Sequence, residues 1–286
     1  RVRARVSKIE TDNKGNVTGA LYFDKDNKEH FQPANGIVLA MNGVGTPRIL
    51  LNSHSNDHPN GLSNSSGQVG KNLMFHVYAG AQGVFDNVEE TYKGPGVNIL
   101  ISQEFYESDI SRGFDRGYIL IMFRGTGSPV HVSKSVEWGK NHHEEFKKNF
   151  GKTIGIGVCG EDLPEESNYV ELDPILKDSN GIPSPKINYK VSENSRKLLD
   201  HGLKNAETVL KKAGAYNVIR LPFSKEQGWH LMGTAKMGDM KKNSVVNKSG
   251  QTHDIKNLVI AGEKGKSLDF SYFDTQKKIA TFNTNQ

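Results

Sequence analysis

The sequence predicts a mixed fold, α/β plus α+β, in two parts, and three observations lead there. Short alternating strands open the chain, and the run that follows them, GIVLAM (36–41), is almost continuously apolar, the pattern of a parallel strand buried on both faces. A second such run, NLVIAG (257–262), comes near the end. Between them, from about Ala79 to Gln227, strand-like runs, turn signals and one long amphipathic helix read as an antiparallel sheet with helices. The predicted boundaries are 1–78 and 228–286 for one domain and 79–227 for the other.

Each element has its own justification. VRARVSKIET, the turn DNKGN, VTGALYF and the turn DKDNKEH predict an antiparallel meander that feeds the buried strand at 36–41. NGVGTPRILLNS then predicts a helix with Thr46 as its cap, Pro47 in its first turn and Ile49, Leu50 and Leu51 on its apolar side. GLSNSSGQVGKNLMFH (61–76) is a polar, glycine-containing loop leading into an apolar segment. In the middle region YILIMF, KTIGIGV and NYVEL read as strands and DSNGIPSP as a turn. A helix is predicted from Glu193 to Ala213, capped by Ser192 and stopped by Gly214, with Leu198, Leu199, Leu203, Ala206, Val209 and Leu210 on the side that packs on a sheet.

Composition narrows the function classes. The chain has 286 residues, 35% hydrophobic and 24% charged, with a mean hydropathy of −0.59, which suits a folded globular protein rather than a disordered or fibrous one. The net charge of +5 comes from scattered lysines without clustered arginine and interleaved aromatics, so a solvated surface and no nucleic-acid partner is expected. No stretch approaches the roughly 18 apolar residues of a membrane span, and RVRARVSKIE lacks the apolar core of a signal peptide. The lone Cys159 excludes an internal disulfide and, in TIGIGVCG, reads as a buried, inert thiol. The compartment, cytoplasmic or periplasmic, stays open.

The formal fingerprint Gly155-x-Gly157-x-x-Gly160 follows a strand, but EDLPEE follows it where a phosphate-binding helix should begin. Acidic groups would repel a pyrophosphate and the proline interrupts a helix, so no cofactor site is expected there. His142 and His143 are adjacent and point apart, no Cys/His cluster has zinc spacing, and no metal site is expected. His253 reads as a turn stabiliser, and His131 and His201 have no partner readable from sequence. His230, in GWHLMGT, is flanked by glycines and large apolar groups; it is either a satisfied core histidine or a base able to take a proton from a substrate hydroxyl.

The order of these segments resembles the glucose–methanol–choline (GMC) oxidoreductases over nearly everything from Arg1 to about Gly262. GIVLAMNGVGTPRILLNS is similar to the family's second signature; SGQVGKNLMFH to the loop that follows; GWHLMGTAKMGD with SVVNKSGQTHDIKNLVIAG to the C-terminal block His-x-x-Gly-Thr-x-x-Met-Gly, Val-Val-(Asp/Asn), Asn-Leu. The resemblance implies a partial FAD-binding (Rossmann-like) domain and an antiparallel-sheet substrate domain. It also implies FAD as cofactor, with Asn42, Gly43, Thr46, Pro47, Ala261 and Gly262 as cofactor neighbours. The substrate it implies is a small alcohol or sugar, with His230 the base toward its hydroxyl while hydride passes to the flavin; the electron acceptor is left open.

Two departures from the family pattern accompany the likeness. No strand–turn–helix of the G-x-G-x-x-G kind is found, and EKGKSLDFSYFDTQKKIATFNTNQ after Gly262 lacks the family's glycine-rich segment and second His or Asn. The expectation is a C-terminal portion of such an enzyme, incapable of turnover alone and prone to associate through uncovered apolar strands. Two alternatives are a non-catalytic module that binds a small molecule or partner, and a separate chain that supplies the remaining FAD half.

Overall fold

A computed structural model describes residues 2–93, 100–124, 133, 136–221, 223 and 228–261. In chain order its elements begin with β1 (Arg5–Thr11), β2 (Val17–Phe23), β3 (Glu29–Pro33), β4 (Ile37–Leu39), α1 (Asn42–Asn52) and β5 (Val77–Val84). Next come β6 (Leu100–Ser102), β7 (Tyr118–Arg124), α2 (His142–Asn149), β8 (Thr153–Gly160) and β9 (Tyr169–Lys177). The last are β10 (Pro183–Asn188), α3 (Glu193–Lys212), β11 (Asn217–Leu221) and β12 (Leu258–Ile260). The mixture of helices with mainly antiparallel sheets agrees with the mixed fold expected.

Chain contacts divide these elements into two units, one made of the segment up to Leu73, Pro164–Tyr189 and the segment from Met232, the other of Met74–Leu163 and Lys190–Leu231. In the first unit β1, β2 and β3 form the antiparallel meander. Its turns are held by local side chains: Asp12 accepts from the N–H groups of Lys14 and Asn16, and Asp24 from those of Asp26 and Lys28. The strand β4 pairs in parallel with β12, Ile37 opposite Leu258 and Leu39 opposite Ile260, and it is buried on one face only, not on both as its apolar run predicts. Leu39, Leu258 and Ile260 are buried together with Ile9, Leu50 and Val246, while Val38 on the other face is exposed. Asn257 staples these pieces: its side chain accepts from Val17 N–H and donates to the carbonyls of Val17 and Asn35, and its carbonyl accepts from Ile37 N–H.

α1 begins earlier than expected. Asn42 stands at φ +61° and its Oδ1 accepts from the N–H groups of Val44 and Gly45, so Asn42 does the capping assigned to Thr46, which lies buried inside the helix. The β9–β10 hairpin belongs with the end segments, because the Arg48 guanidinium of α1 donates to Asp178 at 2.9 Å and to the carbonyls of Pro183 and Ile182.

In the second unit five antiparallel strands run in the order β11-β5-β8-β7-β6. α3 covers one face with Leu198, Ala206 and Leu210 against Val77, Ala79, Ala81 and Val158. Ser192 caps it by accepting from Ser195 N–H, and Gly214 at φ +99° ends it, both as expected; Val209, expected on the packed side, is 48% exposed. The fingerprint glycines lie inside β8, not in a turn. A Cβ on Gly157 would strike the Tyr78 hydroxyl and one on Gly160 would strike Leu198, so these glycines serve packing. Among the described residues no helix is long and apolar enough to cross a membrane.

Candidate active site

In the first unit the chemistry starts from Pro47. A proline has no N–H to give the carbonyl four residues earlier, which here is that of Gly43. The Thr234 hydroxyl donates to that carbonyl instead, at 2.9 Å in a buried position. The Thr234 carbonyl accepts from Gly70 N–H at 2.9 Å, and the Gly70 carbonyl accepts from Val170 N–H at 2.8 Å. Gly70 stands at φ +87°, and a Cβ there would run into the Val170 carbonyl. Three separate sequence motifs, Thr-Pro of α1, the GQVG loop and Gly-Thr after His230, therefore meet through one chain of hydrogen bonds.

Beside them Ala261 N–H donates to the Leu39 carbonyl at 2.7 Å, extending the parallel pair by one bond to the point where the chain turns into α1. Asn42 is exposed there, whereas Gly43, Thr46 and Pro47 are buried. Gly262 lies outside the described residues.

His230 belongs to the second unit. It adopts φ +52°, a left-handed conformation unusual for a residue with a Cβ, and its side chain is exposed. His76 lies edge-on to it, ring centroids 4.8 Å apart at 86°. The half-buried His76 ring also meets the Gly160 carbonyl through Nδ1 at 3.3 Å. Burial holds His76 below the ordinary imidazole pKa, opposed by the Gly160 carbonyl and reinforced by His230. Trp229, half-exposed, packs edge-on to Tyr78 at 5.4 Å. Tyr78 lies on the face of the sheet opposite α3, over Gly157, and burial raises its hydroxyl well above its usual pKa.

His76 has no role in the sequence reading, although it ends the motif SGQVGKNLMFH; a ring contact between residues 76 and 230 leaves no periodic signal. His201 gains a partner too, its Nδ1 lying 2.8 Å from the Tyr118 hydroxyl. His253 stabilises its turn as expected, with Nε2 2.9 Å from the Gly238 carbonyl and 3.0 Å from the Ser244 hydroxyl. Cys159 is half-buried, and burial pushes its thiol up to about 11. Among the described residues no group of His, Cys, Asp or Glu side chains is placed to hold a metal ion.

Comparison with known proteins adds the relatives. Residues 164–263 match the family model of the GMC oxidoreductase. The 2-methyl-1,2-propanediol dehydrogenase of Mycolicibacterium austroafricanum is 39% identical over 280 residues, 94% of this chain and 50% of the relative. The fructose dehydrogenase large subunit of Gluconobacter japonicus is 30% identical over 262 residues, 90% of this chain and 47% of the relative. The chain thus spans about half the length of the curated relatives it matches. Among solved structures, pyridoxine 4-oxidase from Mesorbium loti superposes with a TM-score of 0.61 at 15% identity, over 91% of this chain and 52% of that one. An Aspergillus oryzae formate oxidase gives 0.63 at 16%, over 91% and 55%. The chain belongs to the GMC oxidoreductase family, whose C-terminal portion it matches.

Proposed function

We propose that this chain contributes the general base and part of the substrate wall of an FAD-dependent oxidoreductase that acts on the hydroxyl of a small alcohol or sugar. The observation that carries the reading is His230 itself: an exposed imidazole on a strained left-handed residue, flanked by Trp229 and His76. Strain of this kind, of order 1–3 kcal/mol, persists where the surroundings impose a fixed geometry. Fixed geometry is what proton transfer to a positioned base needs.

The corner where Ala261 joins Leu39 and α1 begins suits the ring portion of a flavin. Asn42 is exposed to meet it, and the buried Gly43, Thr46 and Pro47 set the backbone that presents Asn42. The same corner does not suit a pyrophosphate, because Asn42 Oδ1 already accepts from the N–H groups of Val44 and Gly45 at the head of the helix. When bound, FAD supplies the acceptor for the hydride leaving the carbinol carbon. A neutral His230 imidazole takes the hydroxyl proton, and the resulting alkoxide character makes that carbon a hydride donor. Trp229 offers half-exposed apolar surface beside the base for an alkyl chain or the apolar face of a sugar.

The test is anaerobic reduction of the full-length, flavin-loaded protein by a panel of diols and sugars. His230→Ala is expected to slow flavin bleaching by about 10²–10⁴-fold with the oxidised flavin spectrum unchanged. An unaltered bleaching rate would remove His230 from the base role.

A further inference from the structure

His76 reaches the Trp229–His230 step twice, through different parts of itself. Its backbone N–H donates to the Trp229 carbonyl at 3.1 Å, which holds the peptide leading into the left-handed residue. Its ring meets the His230 ring edge-on at 4.8 Å. The His76 ring is itself anchored, because Nδ1–H donates to the Gly160 carbonyl at 3.3 Å, at the end of β8. That bond fixes the tautomer and leaves Nε2 without a proton.

We propose that His76 is a positioning residue for His230, holding both the backbone turn and the imidazole of the base in one arrangement before substrate arrives. The inference rests on the reading of His230 as base. Burial favours the uncharged form of His76, so the partner adds no positive charge beside a base that must accept a proton. The other groups that act on His76 are the Gly160 carbonyl and the Glu161 carboxylate, which both favour its charged form, and His230, which opposes it. Burial is the largest of these influences and the net shift is downward.

The test uses the 286-residue chain with isotope-labelled histidine, so its first readout needs no flavin. The unmodified chain is expected to show nuclear Overhauser contacts between the two rings and a single His230 side-chain conformer. His76→Phe, which keeps an aromatic edge and the backbone N–H, retains that conformer; His76→Ala, which keeps only the N–H, lets it average. In the full-length protein loaded with flavin, His76→Ala lowers kcat by about 10–100-fold with KM nearly constant, and His76→Phe restores most of the loss. A His230 ring that keeps one conformer in His76→Ala overturns the proposal. Should that variant not fold, His76→Gln, which has a side-chain donor but no ring, gives the same decision. Failure of the base reading is separate: flavin reduction unaffected by His230→Ala would sink it whatever His76 does.

Discussion

Pro47 removes one helical hydrogen bond, and Thr234 replaces it from 187 residues away with a buried hydroxyl at 2.9 Å from the Gly43 carbonyl. Thr234→Val keeps the shape and leaves that carbonyl unpaired, which costs about 1–3 kcal/mol; Thr234→Ser keeps the donor and most of the stability. Urea unfolding of the three proteins checks the ordering. At the other histidine the effect depends on pH. His76 has its pKa lowered by burial first, so the unfolded chain binds its proton at a higher pH than the folded one. The corresponding stability is present above about pH 6.5 and is lost as the pH falls below it toward the lower folded value. His201 is shifted the same way, again by burial first, and adds to the slope. Melting temperature measured from neutral to mildly acidic pH should fall less steeply in His76→Phe than in the unmodified protein.

Among the elements, α3 shows what a sequence discloses. Its cap, its stop and most of its apolar stripe follow from Ser192, Gly214 and a spacing of three and four residues. Val209 belongs to the same stripe by spacing yet is 48% exposed, because the covered arc ends at Ala206 and Leu210. Leu198→Ala should therefore cost about 2–5 kcal/mol, while Val209→Ala should stay within about 0.5 kcal/mol. Thermal or denaturant unfolding separates the two. The start of α1 was misplaced for a different reason. Thr-Pro is the stronger helix-start signal in local sequence, but Asn42 takes a left-handed conformation and caps four residues earlier. Asn is a good capping residue and tolerates the left-handed region, so the sequence offers both starts and local signals alone do not choose between them.

At the scale of the molecule, the two hydrophobic clusters have separate memberships, one around Leu50 and Leu258 and the other around Val158 and Leu198. Hydrogen exchange should report them separately: Leu258→Ala should lower protection in β1, β4 and β12 while β5 and β8 keep theirs. The meander, the parallel pairing and the antiparallel sheet are legible because each writes a two-residue or continuous apolar pattern into the sequence, but the continuous run at 36–41 overstates burial, since Val38 is exposed. The β9–β10 hairpin was not placed with the end segments, since its attachment runs through Arg48 and Asp178, 130 residues apart. The glycine-flanked motif marks His230 only as either a core histidine or a base, and the family resemblance adds the base role; nothing marks His76, as ring contacts across such distances obey no spacing rule.

The pairing of Ile37 with Leu258 also sets a schedule for synthesis. A ribosome adds about 5–20 residues per second, so β12 is synthesised roughly 10–45 seconds after the β4 strand it pairs with. Through that interval Leu39 is without the strand that pairs with it in the finished fold. The meander and the second unit, whose strands pair at shorter range, have time to form first, and β4 is the strand that waits longest for its partner.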